Sequence, residues 1–357
     1  MAPEDGRTHI PQGGLRPVCA PGEFCFAVVG LDHDHINGMC QGLLEAGGEL
    51  VAVWDPDLAK VRAFRERFPT AVAASSEEEI LSDPTVHMIA SASVNSERAS
   101  IGVRAMRAGK HFFVDKPPLT SLEQLDAVRL AIAETGRRYA VYWSEHIHVE
   151  AAIFAGQLVA AGAIGRVIHY LGMGPHRANV ASRPAWFFDK ARYGGILCDI
   201  GSHQIEQFLY YTGAEDARIS HSRVANYAHP DYPGFEDFGD CCLVADNGAT
   251  GYFRVDWFTP DGLSNWGDGR VLLVGTDGYI ECRKYLNLAT DPSGDHVYLV
   301  DSKGEHHFHV AGKVGFGFFG QLIRDCLDGT ETAMSQAHIL RAAELAVLAE
   351  LNALRIA

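Results

Sequence analysis

Basic side chains are scarce in this sequence. Thirty Lys and Arg residues stand against 45 Asp and Glu in 357 residues, giving a net charge of −15 and a pI near 5.5. Phosphate-rich surfaces need concentrated Lys and Arg, so nucleic acid and anionic membrane are excluded as main partners. A small anionic cofactor needs only a local site and stays open. Long apolar runs are missing too. The longest uncharged apolar stretch, 151–165, is broken by Gln157 and several glycines, and it is shorter than the about 20 residues a membrane-spanning helix needs. The N-terminal stretch carries Glu4, Asp5 and Arg7 among glycines and prolines, with no apolar signal-peptide core. Residues 1–23 therefore read as a flexible extension, and the protein as cytoplasmic. The eight cysteines (Cys19, Cys25, Cys40, Cys198, Cys241, Cys242, Cys282 and Cys326) form no CxxC pair. That excludes a zinc ribbon or a thioredoxin-like motif and fits small buried hydrophobes in a reducing compartment.

What is present is the mixture of a soluble globular chain: 47% hydrophobic and 21% charged residues. The length suits two domains. From Phe24 onward, short β-rich runs alternate with helical patterns, as in a parallel sheet with crossover helices. Strands are expected at 24–29, 49–54, 71–73, 86–92, 111–114 and 139–142. Ser75 and Ser76 followed by Glu78 and Glu79, and Ser121 followed by Gln124, read as helix starts. Residues 24–142 are thus expected to form a doubly wound parallel sheet, an α/β Rossmann domain. After 143 the pattern changes to helices near 149–161 and 199–212, then a β-rich stretch over 218–310. This predicts an α+β domain over 143–357 with a large, mostly antiparallel sheet, and a C-terminal helix at 336–354 packing back on the body.

The first strand leads into Gly30-Leu31-Asp32-His33-Asp34-His35, with Gly38 three residues on. A dinucleotide fold carries GxGxxG here, for a tight turn, close backbone approach to pyrophosphate, and a helix N-terminus aimed at the anion. Gly30 fits the first glycine, whereas Asp32 and His35 replace the others. A carboxylate at Asp32 repels a diphosphate unless it turns away or accepts the turn's own amides; His33 and His35 could supply donors instead. Asp55 closes the second strand 25 residues after Gly30, near the about 20-residue offset of the acid that accepts ribose hydroxyls. With Asp57 it disfavours a 2′-phosphate, so NAD is expected over NADP. Asp55-Pro56-Asp57 can cap a helix as well.

The fifth strand ends in Val114-Asp115-Lys116-Pro117-Pro118, and later comes Gly194-Gly195-Ile196-Leu197-Cys198-Asp199-Ile200-Gly201-Ser202-His203. Here the sequence resembles the glucose-fructose oxidoreductase/inositol dehydrogenase/rhizopine-catabolism (Gfo/Idh/MocA) family, whose signatures are E-K-P and G-G-x-x-x-D-x-G-x-H. Lys116-Pro117 matches the first with Asp115 in place of Glu, and Asp199 and His203 match the second. The resemblance covers nearly everything after residue 24. It implies a nicotinamide-dependent sugar or cyclitol dehydrogenase that assembles as a homodimer or homotetramer.

The residues themselves agree with that chemistry. Asp199 and His203 are four apart on one predicted helical face. A His can take the proton of a secondary alcohol while hydride leaves the same carbon, and a nearby carboxylate can orient the imidazole. Lys116, at the carboxyl end of a strand, can stabilise charge on the reacting oxygen. Asn95, in Ser93-Val94-Asn95-Ser96-Glu97-Arg98, matches a cofactor-contacting position of the family's T-P-N-x-x-H pattern, while Val94 and Arg98 depart from it. Tyr142, His146, His176, Trp186 and Phe187 are candidates to line a sugar or polyol pocket; Trp257 and Trp266 read as sheet packing.

Two rival readings stand beside this one. His33 and His35, His146 and His148, and His306, His307 and His309 invite a metal enzyme, but the clusters fall in different predicted elements and no metal is assigned. A non-catalytic sensor of dinucleotide and sugar would keep the fold and lose the chemistry; intact Lys116, Asp199 and His203 argue against it.

Overall fold

A computed structural model of the chain describes residues 16–356. The first elements alternate: β1 (Cys25–Leu31), α1 (His35–Glu45), β2 (Glu49–Trp54), α2 (Leu58–Arg67), β3 (Val72–Ala73) and α3 (Glu77–Ser82). There follow β4 (Met88–Ala92), α4 (Arg98–Arg107), β5 (His111–Asp115), α5 (Leu122–Thr135) and β6 (Tyr139–Tyr142). A helical stretch then holds α6 (Ser144–Ile147) and α7 (Glu150–Ala160), β7 (Val167–Pro175), α8 (Lys190–Tyr193), α9 (Ile196–Asp199) and α10 (Gly201–Thr212). Strands β8 (Ala217–Ala225), β9 (Phe238–Ala245), β10 (Thr250–Asp256), β11 (Arg270–Gly275), β12 (Gly278–Arg283), β13 (His296–Asp301) and β14 (Gly304–His309) come next. The chain closes with α11 (Gly317–Asp328), α12 (Gln336–Leu351) and β15 (Leu354–Ile356).

The chain divides into two compact units. One runs through Tyr142 and adds Gly317–Leu340; the other is Trp143–Phe316 with the residues from Arg341 onward. In the first unit the strand order is β3-β2-β1-β4-β5-β6, all parallel. Chain direction across the sheet reverses between β1 and β4, which is where doubly wound sheets open a crevice at their carboxyl ends. The expected helix starts are present. Ser76 Oγ accepts from Glu79 N (3.1 Å) while the Glu79 carboxylate accepts from Ser75 N (2.7 Å), and Ser121 Oγ accepts from Gln124 N (3.2 Å).

Gly317–Leu340 cluster with this unit rather than with the β-rich domain to which the sequence reading assigns them. The cause is packing: α11 buries Phe318, Phe319, Leu322 and Ile323, and the Phe319 ring lies where a Cβ on Gly42 of α1 would be, 2.4 Å away. Of the expected flexible extension, residues 1–15 lie outside the described residues. The remainder is tied down, with Val18 N donating to Ala46 O and Gly22 N to Glu49 Oε1, both at 2.8 Å.

The second unit is a nine-stranded sheet in the order β14-β13-β12-β11-β7-β10-β9-β8-β15. It is antiparallel apart from the β10–β7 and β15–β8 pairs. Helix α10 lies close on this sheet because the strands facing it carry glycine. A Cβ on Gly172 of β7 would sit 2.4 Å from Gln204 Oε1, and one on Gly251 of β10 would sit 2.7 Å from the Phe208 ring. Ile205, Phe208 and Leu209 of α10 are buried, each contributing about 1.5–3 kcal/mol. Among the described residues no helix is long and apolar enough to cross a membrane.

Candidate functional site

At the end of β1 the backbone turns at Gly30, with φ +88°, and a Cβ there would lie 2.7 Å from the Ser93 Cβ after β4. Only glycine fits that approach. The Asp55 side chain, buried at the end of β2, accepts from Leu31 N through Oδ2 and from Asp57 N through Oδ1, both at 2.8 Å. Each carboxylate oxygen keeps a second acceptor position, which is what a ribose diol needs. Asp57 itself caps α2, accepting from Ala59 N (2.8 Å). Asp32 turns aside: Oδ1 accepts from Lys60 Nζ (2.5 Å) and Oδ2 from Val94 N (3.2 Å). Its charge is matched by Lys60, while the first amides of α1 close the turn itself: His35 N donates to His33 Nδ1, Ile36 N to His33 O and Asn37 N to Asp34 O. Asn95 is buried in a 3-10 turn directly after β4. The tight glycine turn, the helix start and the acid at the end of β2 fit a dinucleotide.

Behind the turn lies a buried ionic cluster. Asp115, at the end of β5 and fully buried, faces His35 Nδ1 at 2.8 Å, His33 Nδ1 at 3.4 Å and the Arg98 guanidinium at 3.0 Å. Burial pushes its carboxyl up, yet His35, Arg98 and His33 together hold it far below the usual carboxylate range. His33 is driven well below its usual pKa, first by burial and then by His35, so it is neutral. Its Nδ1 accepts from His35 N at 3.2 Å. Arg98 also donates to the carbonyls of Ser93 (2.8 Å), Asp115 (3.2 Å), Pro117 (3.1 Å) and Lys116. The two departures from the family pattern therefore belong together. Arg for His at 98 and Asp for Glu at 115 form one ion pair, and the same Arg clamps the backbone that presents Lys116, itself 4% exposed.

In the second unit, Asp199 closes α9 and His203 opens the buried face of α10. Ile200 between them keeps helical dihedrals (φ −88°, ψ −38°), so the four-residue spacing works nearly as one helix. Opposite them, Glu145 of α6 is 2% exposed and accepts from Lys284 Nζ (2.9 Å) and Gln204 Nε2 (3.0 Å). His176 Nε2 stands 3.9 Å from its other oxygen. Burial opposes the Glu145 charge, but Lys284, His203 and His176 keep the carboxyl well below its ordinary value. Glu145 is therefore a fixed negative charge beside His203, which favours an imidazole that has gained a proton. No sequence motif singles out Lys284, Gln204 or Glu145. A lysine at a strand end carries no motif, whereas a carboxylate three places after the buried strand β6 is a usable signal.

The predicted substrate residues separate. Tyr142 belongs to the first unit, buried with its ring edge-on to His35 at 5.8 Å and against Phe113 and Phe319. His146 pairs with Glu206 of α10 at 2.8 Å and packs on Tyr210. Trp186 and Phe187 sit on a 3-10 turn, and Phe187 begins a continuous aromatic line. It runs from Phe187 to Trp257 (5.2 Å), His176 (5.5 Å), Trp266 (4.7 Å) and Tyr285 (4.2 Å). Trp257 and Trp266, read from sequence as sheet packing, thus flank His176. Among the described residues, two groups could hold a metal: His33, His35 and Asp115, and separately Asp291, His296 and His309. Neither contains Asp199 or His203.

Known proteins share the sequence pattern and the fold. Residues 24–143 match the model of an oxidoreductase family with an NAD-binding Rossmann fold, and residues 154–281 match the Gfo/Idh/MocA C-terminal domain. The chain is 30% identical over 291 residues to scyllo-inositol 2-dehydrogenase (NAD(+)) of Bacillus subtilis, covering 78% of this chain and 80% of that one. A crystal structure of a protein from Erwinia carotovora atroseptica is 54% identical with a TM-score of 0.91, covering 94% of this chain and all of that one. Levoglucosan dehydrogenase in complex with NADH, 18% identical, shares the fold at a TM-score of 0.75 over 92% of this chain and 95% of that one. The paired domains, the NAD-type turn and the Asp199–His203 segment lead to one assignment: the chain belongs to the Gfo/Idh/MocA family of NAD-binding oxidoreductases.

Proposed function

We propose that the chain is a dehydrogenase that reversibly oxidises a secondary ring hydroxyl of a sugar, sugar derivative or cyclitol to the ketone, with NAD preferred over NADP. The observation that carries this reading is the buried polar cluster of His203, Glu145, Lys284, Gln204 and His176 beside the aromatic line through Trp257 and Trp266. Polar groups next to ring faces suit the mixed surface of a cyclic polyol. When bound, NAD supplies the nicotinamide carbon that accepts the hydride. His203 takes the hydroxyl proton as the carbon–hydrogen bond breaks, and Glu145 stabilises the resulting imidazolium. Asp199 orients the imidazole or a substrate hydroxyl. Lys116 donates to the reacting oxygen and counters its developing charge. Asp55 engages the ribose hydroxyls, and its negative charge disfavours a 2′-phosphate. The Bacillus subtilis relative is named for scyllo-inositol and NAD, which supports a cyclitol as the first compound to try.

The eight cysteines are free thiols, in keeping with a reducing cytoplasm, and a homodimer or homotetramer is the assembly that the family resemblance implies. A panel of cyclitols, aldoses and polyols with NAD, followed by NADH absorbance, tests the activity. Turnover on a ring polyol is the expected result. Tight NADH binding with no turnover on any member of the panel favours a sensor instead.

A further inference from the structure

The segment carrying Asp199 and His203 begins at a Gly194-Gly195 turn, both residues having positive φ (+89° and +98°). The first amides of α9 have no partner within the helix. Two buried carboxylates from distant parts of the second unit take them. Glu236, in the loop before β9, accepts from Ile196 N at 3.1 Å, and Glu350, near the end of α12, accepts from Leu197 N at 2.9 Å. Glu350 reaches this position because residue 195 has no side chain: a Cβ there would lie 2.2 Å from the Glu350 carboxyl carbon. Lys190 of α8 bridges both carboxylates. Arg355 of β15 pairs with Glu236 at 2.6 Å, and the Tyr193 hydroxyl donates to Glu236 at 3.4 Å. Two acidic and two basic side chains thus converge on one helix start, three residues before Asp199 and seven before His203.

We infer that Glu350, acting with Glu236 and Lys190, is a positioning residue for the Asp199–His203 segment: the C-terminal helix holds the acid/base group in register through the Leu197 amide. A carboxylate acceptor makes a stronger bond to an amide than a neutral group does, and this one bears on the turn that sets the direction of α9. The inference rests on the proposed role of His203 for its catalytic consequence, while the clamp itself is a property of the fold.

The test is amide hydrogen exchange by mass spectrometry on full-length wild type, Glu350→Ala and Glu350→Gln, alongside steady-state kinetics and NADH titration. Glu350→Ala is expected to speed exchange over residues 195–203 at least tenfold, with β9 and β10 unchanged. It should also lower kcat at least tenfold while KM and the NADH Kd stay within threefold. Glu350→Gln, whose carbonyl can still accept from Leu197 N, should return both readouts to within threefold of wild type. If Glu350→Ala fails to accumulate, Lys190→Met, which removes the shared cation, should speed exchange over 195–203 in the same way. Unchanged exchange over 195–203, or equal acceleration across β9 and β10, overturns the inference. If wild type turns over no polyol, the proposed function fails, and the exchange measurement still decides the clamp.

Discussion

Asp115 in the first unit and the Glu236–Glu350 pair in the second both hold carboxylates out of water beside a proposed catalytic residue, but they share their partners differently. Asp115 is one acid among Arg98, His35 and His33. Glu236 and Glu350 are two acids sharing Lys190, with Arg355 serving Glu236 alone. The consequence is visible in their protonation. Asp115 stays far below the carboxylate range despite burial. Burial and then Glu236 push Glu350 up to about 7 against the pull of Lys190. Where a single acid has a guanidinium to itself, the cluster is a permanently charged scaffold. Where acids share a cation, one of them changes charge near neutral pH.

The largest expected effect tests the scaffold. Arg98→Ala leaves Asp115 and several backbone carbonyls without their donor, and loss of one partner of a buried pair costs about 3–5 kcal/mol. Chemical denaturation measures it, and a loss under about 1 kcal/mol would show that the histidines suffice. Arg98→Lys should recover only part, because an ammonium cannot reproduce the fork of guanidinium donors.

The responsive site gives the next effect. A folded-state pKa of about 7 for Glu350 lies above the unfolded value of about 4.3. The stabilisation from keeping this proton is therefore complete below the unfolded value and is lost as pH rises through 7. Wild type should lose about 2 kcal/mol more between pH 5 and 8 than Glu350→Gln, which has no proton to release. Parallel stability profiles for the two proteins would place Glu350 with Asp115 as a permanent charge.

The smallest effect concerns the cofactor. Asp55→Ala should reduce the preference for NAD over NADP about tenfold, roughly 1.4 kcal/mol, read as the ratio of kcat/KM values. Unchanged selectivity would confine Asp55 to holding the Leu31 and Asp57 amides.

The parallel sheet was readable from sequence because its buried strands are continuous apolar runs bounded by helix starts, and all six are expected within two residues of their observed ends. Less was readable where position depends on distant contacts. Strand β7, central in the large sheet, is rich in glycine (Gly172, Gly174); those glycines serve the approach of α10, and they erase the strand's signature. The predicted helix over 336–354 stops at Leu351, and the chain then adds β15 to the sheet edge, a pairing no local pattern announces. Among site residues, Lys116, Asp199 and His203 stood out through motif order. Arg98 looked like a mismatch until its partner Asp115 was seen, and Lys284 has meaning only through Glu145, 139 residues earlier.

The proposed acid/base role of His203 is tested most directly by the rate of NADH formation by His203→Ala on the best ring polyol, with NADH binding measured on the same sample. A fall of about 10²–10⁴-fold in kcat is expected, the range for loss of a general acid/base, with cofactor affinity unchanged. Wild-type turnover in His203→Ala would contradict it.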